Sequence, residues 1–336
     1  MFQQLQGRKL DDGDINNQAF LSGTGSRIEM EALRATRLTK VYRKSKQPAL
    51  DSLDLEIESG QIFTMLGRNG AGKTTFLRIA STQLMPTSGS VEVLGLDVVR
   101  DAKQLRERIA ITPQEAETIY PLTPRDHVLL NLRMRGMAKE EAKKRAQEAL
   151  DELELSDVAD TNSEWLSGGM KQRVIVAMAI QTNAELIFLD EPTIGLDPLN
   201  RRKVWEQLTR LRKSGRTIIL TTHYMDEAEA LSDNLVIINR GKVVASGTPR
   251  SVKEAVTLRS TRVDVYDRFT QSELGRYGRV SSIAGRFRVL TDEEGAKSLG
   301  EEAVARSATI SMSPVTLDDV FVDIVGEAEK GEEDEA

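Results

Sequence analysis

The segment GRNGAGKTT at positions 67–75 has the spacing of a phosphate-binding loop. Gly67, Gly72, Lys73 and Thr74 fit G-x-x-x-x-G-K-[ST], and the apolar run QIFTML (61–66) leads straight into them. Glycines let the chain turn so that the backbone of Gly67, Arg68, Asn69, Gly70, Ala71 and Gly72 aims N–H groups at phosphate oxygens. The helix expected to follow adds its positive end. Lys73 is expected to reach the β- and γ-phosphates and the Thr74 hydroxyl to ligate Mg2+, with Thr75 beside them. A chance match in a chain this long is about a one-in-a-hundred event. The bland alternative is a glycine-rich turn followed by a surface lysine.

The matching acidic half is ELIFLDEP (185–192), an apolar run that ends in Asp190 and Glu191. A carboxylate at the C-terminal end of a strand sits where phosphate and metal collect in open α/β sheets. Asp190 suits the Mg2+ shell. Glu191, one residue on, suits a base that polarises an attacking water. Taken alone, two acids ending a strand are commonly just solvated.

The elements that must hold these groups are legible as alternation of two periods. LDLEIES (53–59) alternates apolar residues with acids and reads as a half-buried strand. Runs 61–66, 185–190, 217–222 and 234–239 are short and rich in Ile, Val, Leu and Phe, as buried strands of a largely parallel sheet are. Helical stretches lie between them, which makes the class α/β. Residues 115–182 are rich in Ala, Glu, Lys, Arg and Leu and predict an inserted helical subdomain. After residue 258 the pattern restarts. Strand-like runs at 261–266, 285–291 and 308–313 and a helix over 292–305 predict a small α+β domain at 259–326. Thr316 and Asp319 form a capping box there, ahead of an apolar stripe of Leu317, Val320, Phe321, Ile324 and Val325. Residues 1–27 read as a polar, disordered arm and 327–336 as a solvated acidic tail.

Bulk properties narrow the function. The chain has 336 residues, 39% hydrophobic and 29% charged, the balance of a soluble globular protein. The absence of cysteine excludes disulfides, thiolate catalysis and Cys-ligated zinc. The longest apolar run, Val174 to Ile180, is far short of the ~18–20 residues that span a bilayer. The N-terminus lacks the apolar core of a secretory signal. A cytoplasmic chain is expected. A net charge of −6 argues against a nucleic-acid partner.

Between the two halves lies LSGGMKQR (166–173), and here the chain resembles the ATPases of the ATP-binding-cassette (ABC) family, over roughly residues 30–255 of an expected ATP-binding domain at 28–258. The resemblance implies a P-loop NTPase fold, a RecA-like mostly parallel sheet with an antiparallel β part and the helical insertion. It implies that Ser167, Gly168 and Gly169 form a second anion site at a helix N-terminus, used in trans against the γ-phosphate of ATP held by a second ATP-binding subunit. Met170 stands where the family has glutamine, at the cost of one side-chain amide. By the same resemblance Tyr42 stacks on adenine, Gln114 joins Mg2+ and the attacking water, and the loop Gly195–Leu196–Asp197 touches the opposite subunit. His223, which ends the strand TIILTTH 33 positions after Asp190, is the switch histidine that meets the γ-phosphate. Plain structural roles compete at each of these positions: a core or surface tyrosine, a polar loop glutamine, an Asx-capped turn, a strand-end histidine. His127 has no motif around it and falls on a helix face.

The tail SPVTLDDVFVDIVG (313–326) looks like that of exporter ATPases acting on drugs, lipids or polysaccharides, and KVVASGTP (242–249) resembles the family's last hairpin. The expected protein is thus a Mg2+-dependent ATPase, peripheral on the inner face of the cell membrane, that powers export through a polytopic permease subunit. Two other classes compete: a soluble ABC ATPase acting on nucleic acid or ribosomes, and a regulatory ATP-binding module without turnover. Glu191 and His223 argue against the second.

Overall fold

The computed structural model describes residues 31–43, 45–256 and 260–322. The expected arm at 1–27 and tail at 327–336 lie outside the described residues, as do Ile324 and Val325.

In chain order the larger part runs β1 (Glu31–Lys40), β2 (Leu50–Glu58), β3 (Ile62–Leu66), α1 (Lys73–Ala80), β4 (Ser88–Val93), β5 (Leu96–Asp97), α2 (Ala102–Arg108) and β6 (Ile109–Thr112). It continues through α3 (Pro124–Met134), α4 (Lys139–Glu152), α5 (Gly168–Ile180), β7 (Leu186–Asp190), α6 (Pro198–Lys213), β8 (Thr217–Thr222), α7 (Met225–Leu231), β9 (Asn234–Asn239), β10 (Lys242–Gly247) and α8 (Pro249–Val256). The central sheet has the order β10-β9-β3-β8-β7-β6. Its last five strands are parallel, and β10 closes the edge as an antiparallel hairpin with β9. A second, antiparallel sheet has the order β2-β1-β4-β5.

Strand burial follows the sequence pattern. In β2 the apolar residues Leu53, Leu55 and Ile57 point inward and the intervening acids point out. β3, β7 and β8 are buried at every position, as strands covered on both faces must be. One core lies between the two sheets and around α1, with Leu33, Leu53, Phe63, Met65, Phe76 and Phe188. The other face of the parallel sheet (Ile187, Leu189, Ile218, Leu220) packs on the helical insertion through Leu132, Leu150 and Val176. Pairing of these strands in parallel brings their C-terminal ends to one edge, and that edge is where the chemistry-bearing residues fall.

The C-terminal part contains β11 (Thr261–Val265), α9 (Gln271–Leu274), β12 (Arg279–Ile283), β13 (Arg286–Thr291), α10 (Glu293–Ala305) and β14 (Ile310–Pro314), then a helix over 317–322, here α11. The sheet order β12-β13-β11-β14, all antiparallel, is that of a split β-α-β unit. Sequence reading missed β12 and α9. RVSSI carries only two apolar residues in five, too few to show a period. α10 covers one face, with Leu299 and Ala303 against Val263, Val265 and Val289. On the other face the first turn of α11 meets charged side chains. Asp319 binds Arg288 at 2.9 Å and Arg262 at 3.3 Å, and Arg288 also binds Asp264 at 2.8 Å. The capping box is present, with Thr316 N–H donating to Asp319 Oδ2 at 3.0 Å and Asp319 N–H donating to Thr316 Oγ1 at 3.4 Å. The apolar side of α11, Leu317, Val320 and Phe321, packs on Leu66, Ala228, Leu235, Ile237 and Val252 of the larger part.

Candidate active site

The loop after β3 turns through two glycines with positive φ, Gly70 at +82° and Gly72 at +113°. At Gly72 a Cβ would lie 2.5 Å from the Ala49 carbonyl oxygen, so both conformation and space require glycine. α1 begins at Lys73, with its first N–H groups facing the loop. Nζ of Lys73 is buried, donating to the carbonyl oxygens of Gly67 (2.7 Å) and Arg68 (3.2 Å) and lying 3.5 Å from Glu191 Oε1. Burial pulls this ammonium below the ordinary lysine range, opposed by the charges of Glu191 and Asp190.

β7 delivers the carboxylates. Thr74 Oγ1 lies 3.3 Å from Asp190 Oδ1, and the Thr221 hydroxyl at the end of neighbouring β8 donates to the same oxygen. Glu191 has φ +50°, a left-handed conformation that costs a non-glycine residue energy and persists only where the surroundings impose it. Here its N–H donates to both the carbonyl oxygen and the hydroxyl of Thr221, each at 3.1 Å. The strained turn aims the Glu191 carboxylate across the loop, with Oε2 3.1 Å from Nδ1 of His223, which follows β8. Gln114, two residues after β6, lines the same cavity of about 170 Å³ as Lys73, Thr74, Thr75 and Glu191. Arg68, Asn69 and Gly70 form its rim, and Ala71 is buried beneath it. Tyr42 stands at the margin, half-exposed, with its hydroxyl 3.3 Å from Thr75 Oγ1.

Ser167, Gly168 and Gly169 are not part of this cavity. Ser167 caps α5, accepting from Met170 N–H at 3.2 Å, and Ser167 and Gly168 face outward. A Cβ built on Gly168 would meet nothing within 4 Å, and one on Gly169 would make only an ordinary contact with Leu196. Glycine in a helix costs about 1 kcal/mol relative to alanine. Among the described residues nothing therefore demands glycine at these two positions. The α5 helix is nonetheless tied to the acidic strand end, because Gln172 Nε2 donates to the Pro192 carbonyl oxygen at 3.0 Å. The buried Arg173 anchors α5 to the end of α4 through the Leu153 carbonyl oxygen. Asp197 caps α6 by accepting from Leu199 and Asn200 N–H at 3.0 Å each, and Gly195 turns with φ +72°.

His127 is buried on α3 rather than displayed on it. Its Nε2 accepts from Ile119 N–H at 2.7 Å while Nδ1 lies 2.8 Å from the Thr123 carbonyl oxygen, so it pins a loop. Sequence reading also passed over Thr221, whose only sign is a hydroxyl near a strand end.

A phosphate-binding loop opposite an acidic strand end on a parallel sheet, with a helical insertion between them in sequence, defines a nucleotide-binding cassette of the P-loop class. The family model described as "ABC transporter" matches residues 50–194. The daunorubicin/doxorubicin resistance ATP-binding protein DrrA of Streptomyces peucetius is 33% identical over 309 residues, covering 88% of this chain and 92% of that protein. The chain belongs to the ABC transporter family and is an ATP-binding subunit of an ATP-powered transporter. ATP-binding cassette sub-family A member 2 of Rattus norvegicus is 40% identical over 219 residues, 65% of this chain and 9% of that much longer protein. Among solved structures, a dimeric ATP-binding cassette in a post-hydrolysis state with ADP and Pi bound matches with TM-score 0.60 and 28% identity, covering 64% of this chain and 98% of that one.

Proposed function

We propose that two copies of this chain, or one copy and a similar subunit, enclose two ATP molecules and hydrolyse them to drive export through a membrane permease. The observation that carries the reading is the convergence of Lys73, Thr74, Gln114, Asp190, Glu191 and His223 at the ends of adjacent parallel strands.

The loop amides, Lys73 and the start of α1 neutralise the triphosphate. Glu191 takes the proton from a water that attacks the γ-phosphorus, the bond to the bridging oxygen breaks, and ADP and phosphate leave. His223, hydrogen-bonded to Glu191, orients that carboxylate. Tyr42 stacks on the base beside Thr75. The donor set also fits a hard cation: the Thr74 hydroxyl and the Asp190 carboxylate supply oxygens 3.3 Å apart, and Gln114 lines the cavity beside Thr74. Mg2+ held there supplies positive charge to the developing phosphate oxygens.

Ser167, Gly168 and Gly169 serve the ATP of the second subunit. Their glycines, which nothing among the described residues demands, let a phosphate approach the helix N-terminus closely. The membrane partner docks in the groove of about 600 Å³ between β6 and the helical insertion, lined by Arg106, Ile111, Pro113, Asn131, Arg135 and Met178. Ile119, Tyr120 and Met134 are exposed in the loop after Gln114 and on α3, the apolar character such an interface needs. One loop walls both sites: Gln114 faces the phosphate cavity, while Pro113, Ala116 and Glu117 line the groove. No helix among the described residues is long and apolar enough to cross a membrane, which fits a peripheral subunit on the cytoplasmic face. Export follows from the likeness to the drug-resistance protein across 88% of the chain.

Phosphate release from ATP with magnesium present tests the reading. The parent chain is expected to turn over, and Glu191→Gln to bind nucleotide without doing so. A parent-like rate in Glu191→Gln overturns the role of Glu191.

A further inference from the structure

The run MDEAEAL in α7 places three acids, Asp226, Glu227 and Glu229, in one short helix. The structure sorts them differently. Asp226 is exposed and pairs with Arg201 of α6 at 3.0 Å. Glu229 pairs with Lys253 of α8 and accepts from the Leu317 N–H of α11 at 3.4 Å. Glu227 is fully buried. Its Oε1 accepts from the Thr193 hydroxyl at 2.8 Å and from the Trp205 indole N–H at 2.9 Å, Oε2 is buried as well, and the Thr222 hydroxyl, next to His223 in the chain, also acts on the carboxyl. A buried carboxyl is expensive to keep, and Glu227 does not line the phosphate cavity.

Its connections say what it does. Thr193, itself fully buried, follows Glu191 by two residues. Glu227 follows His223 by four. The carboxyl therefore joins the two segments that carry the hydrogen-bonded Glu191–His223 pair. The same segments are also paired as β7 and β8, with Asp190 opposite Thr221. Trp205 adds α6 to the junction, and the Arg201 guanidinium stacks 4.1 Å from the ring centroid of Tyr224, the residue after His223. The start of α7 is thereby tied to α6 as well as to the loop after Glu191.

We propose that Glu227 is a positioning residue for ATP hydrolysis: through Thr193 and α7 it fixes the distance between Glu191 and His223. The inference rests on the reading of Glu191 as the base and His223 as its partner. It makes a specific demand on kinetics. Nucleotide binding uses the loop and α1, which Glu227 does not touch, so a change at Glu227 acts on kcat and spares KM.

The test measures kcat, KM, affinity for a fluorescent ATP analogue and thermal melting for the parent chain and five variants. These are Glu191→Gln, Thr193→Val, Glu227→Leu, Glu227→Gln and the double variant T193V/E227L. Thr193→Val and Glu227→Leu are each expected to lower kcat about ten- to a hundredfold, the scale of a small misplacement of catalytic groups, with affinity within about twofold of the parent. The double variant is expected to lose no more than the worse single one, because both remove one link. Glu227→Gln keeps an acceptor oxygen for both donors and is expected to recover at least a third of the parent kcat. Unchanged kcat in Thr193→Val, losses that multiply in the double variant, an equal loss of affinity, or a glutamine that restores nothing overturns the proposal. Thr193→Val deletes only a hydroxyl, so it decides the matter should Glu227→Leu fail to fold. If Glu191→Gln loses turnover, the reading of the site stands whatever Glu227 does; if it retains the parent rate, that reading falls first.

Discussion

Nδ1 of His223 lies 3.1 Å from Oε2 of Glu191, and the other oxygen of that carboxylate lies 3.5 Å from Nζ of Lys73. One carboxylate thus stands between the histidine and the lysine of the phosphate loop. Removing its charge while keeping its shape separates binding from hydrolysis. Glu191→Gln is expected to lower kcat by about a hundredfold or more and, with ATP and magnesium, to elute from gel filtration as a dimer. A variant that remains monomeric under those conditions contradicts ATP-bridged pairing.

Use of the α5 N-terminus in trans predicts complementation. Gly168 has open space around it, so Gly168→Asp can fold while placing a carboxylate where the proposed trans site would receive a phosphate. Lys73→Ala disables the other half. Each variant alone is expected to be inactive as a homodimer. A mixed dimer regains one intact site, so an equal mixture is expected to recover about a quarter of the parent turnover, given statistical pairing and independent sites. No recovery after proven subunit exchange means that the two halves work within one chain.

The buried carboxyl of α7 has a pH signature. Burial pushes Glu227 above its ordinary value of 4.5, opposed by the surrounding hydroxyls, Trp205 and the charge of Arg201. The folded chain therefore holds this proton at pH values where the unfolded chain has lost it. The stability this contributes is complete below the unfolded value and declines as pH rises through the folded one. Glutamine does not titrate. Melting curves between about pH 4 and 8 are expected to show Glu227→Gln gaining on the parent as pH rises. A difference that stays level means the carboxyl titrates alike in both states.

In the C-terminal part, Asp319 is 1% exposed and answers both Arg262 and Arg288 while capping α11. Asp319→Ala is expected to cost about 2–3 kcal/mol in urea denaturation, since it leaves the two guanidinium groups short of a partner and removes a cap. Asp319→Asn, which keeps an acceptor for the Thr316 N–H, is expected to cost less. Equal costs assign the effect to charge alone.

What the sequence disclosed and what it hid follow from the range of each interaction. The loop at 67–75 is contiguous, and its flanking strand and helix are local, so its chemistry is legible residue by residue. The same holds for strand β7 with Asp190 and Glu191, and for the capping box of Thr316 and Asp319. The meeting of Lys73 with Glu191, and of Asp190 with Thr221, depends on strand order, which periodicity does not encode. The left-handed backbone of Glu191 leaves no mark in composition. Glu227 was hidden because a buried acid and a solvated one share a letter, and only the packing of α6 against α7 distinguishes them. β12 escaped because its alternation is too short to rise above its serines and arginine.

The placement of α11 bears on how the protein is made. Leu66, the residue immediately before the phosphate loop, and Leu235 and Ile237 beside it share a core with Leu317, Val320 and Phe321, some 250 positions later in the chain. During synthesis from the N-terminus the strand beneath the nucleotide loop is finished early, yet its apolar neighbourhood stays uncovered until translation has passed residue 321. A ribosome that stalls before that point leaves a sticky, half-roofed ATPase, so chaperone capture of nascent chains is expected to persist until residue 321 has emerged.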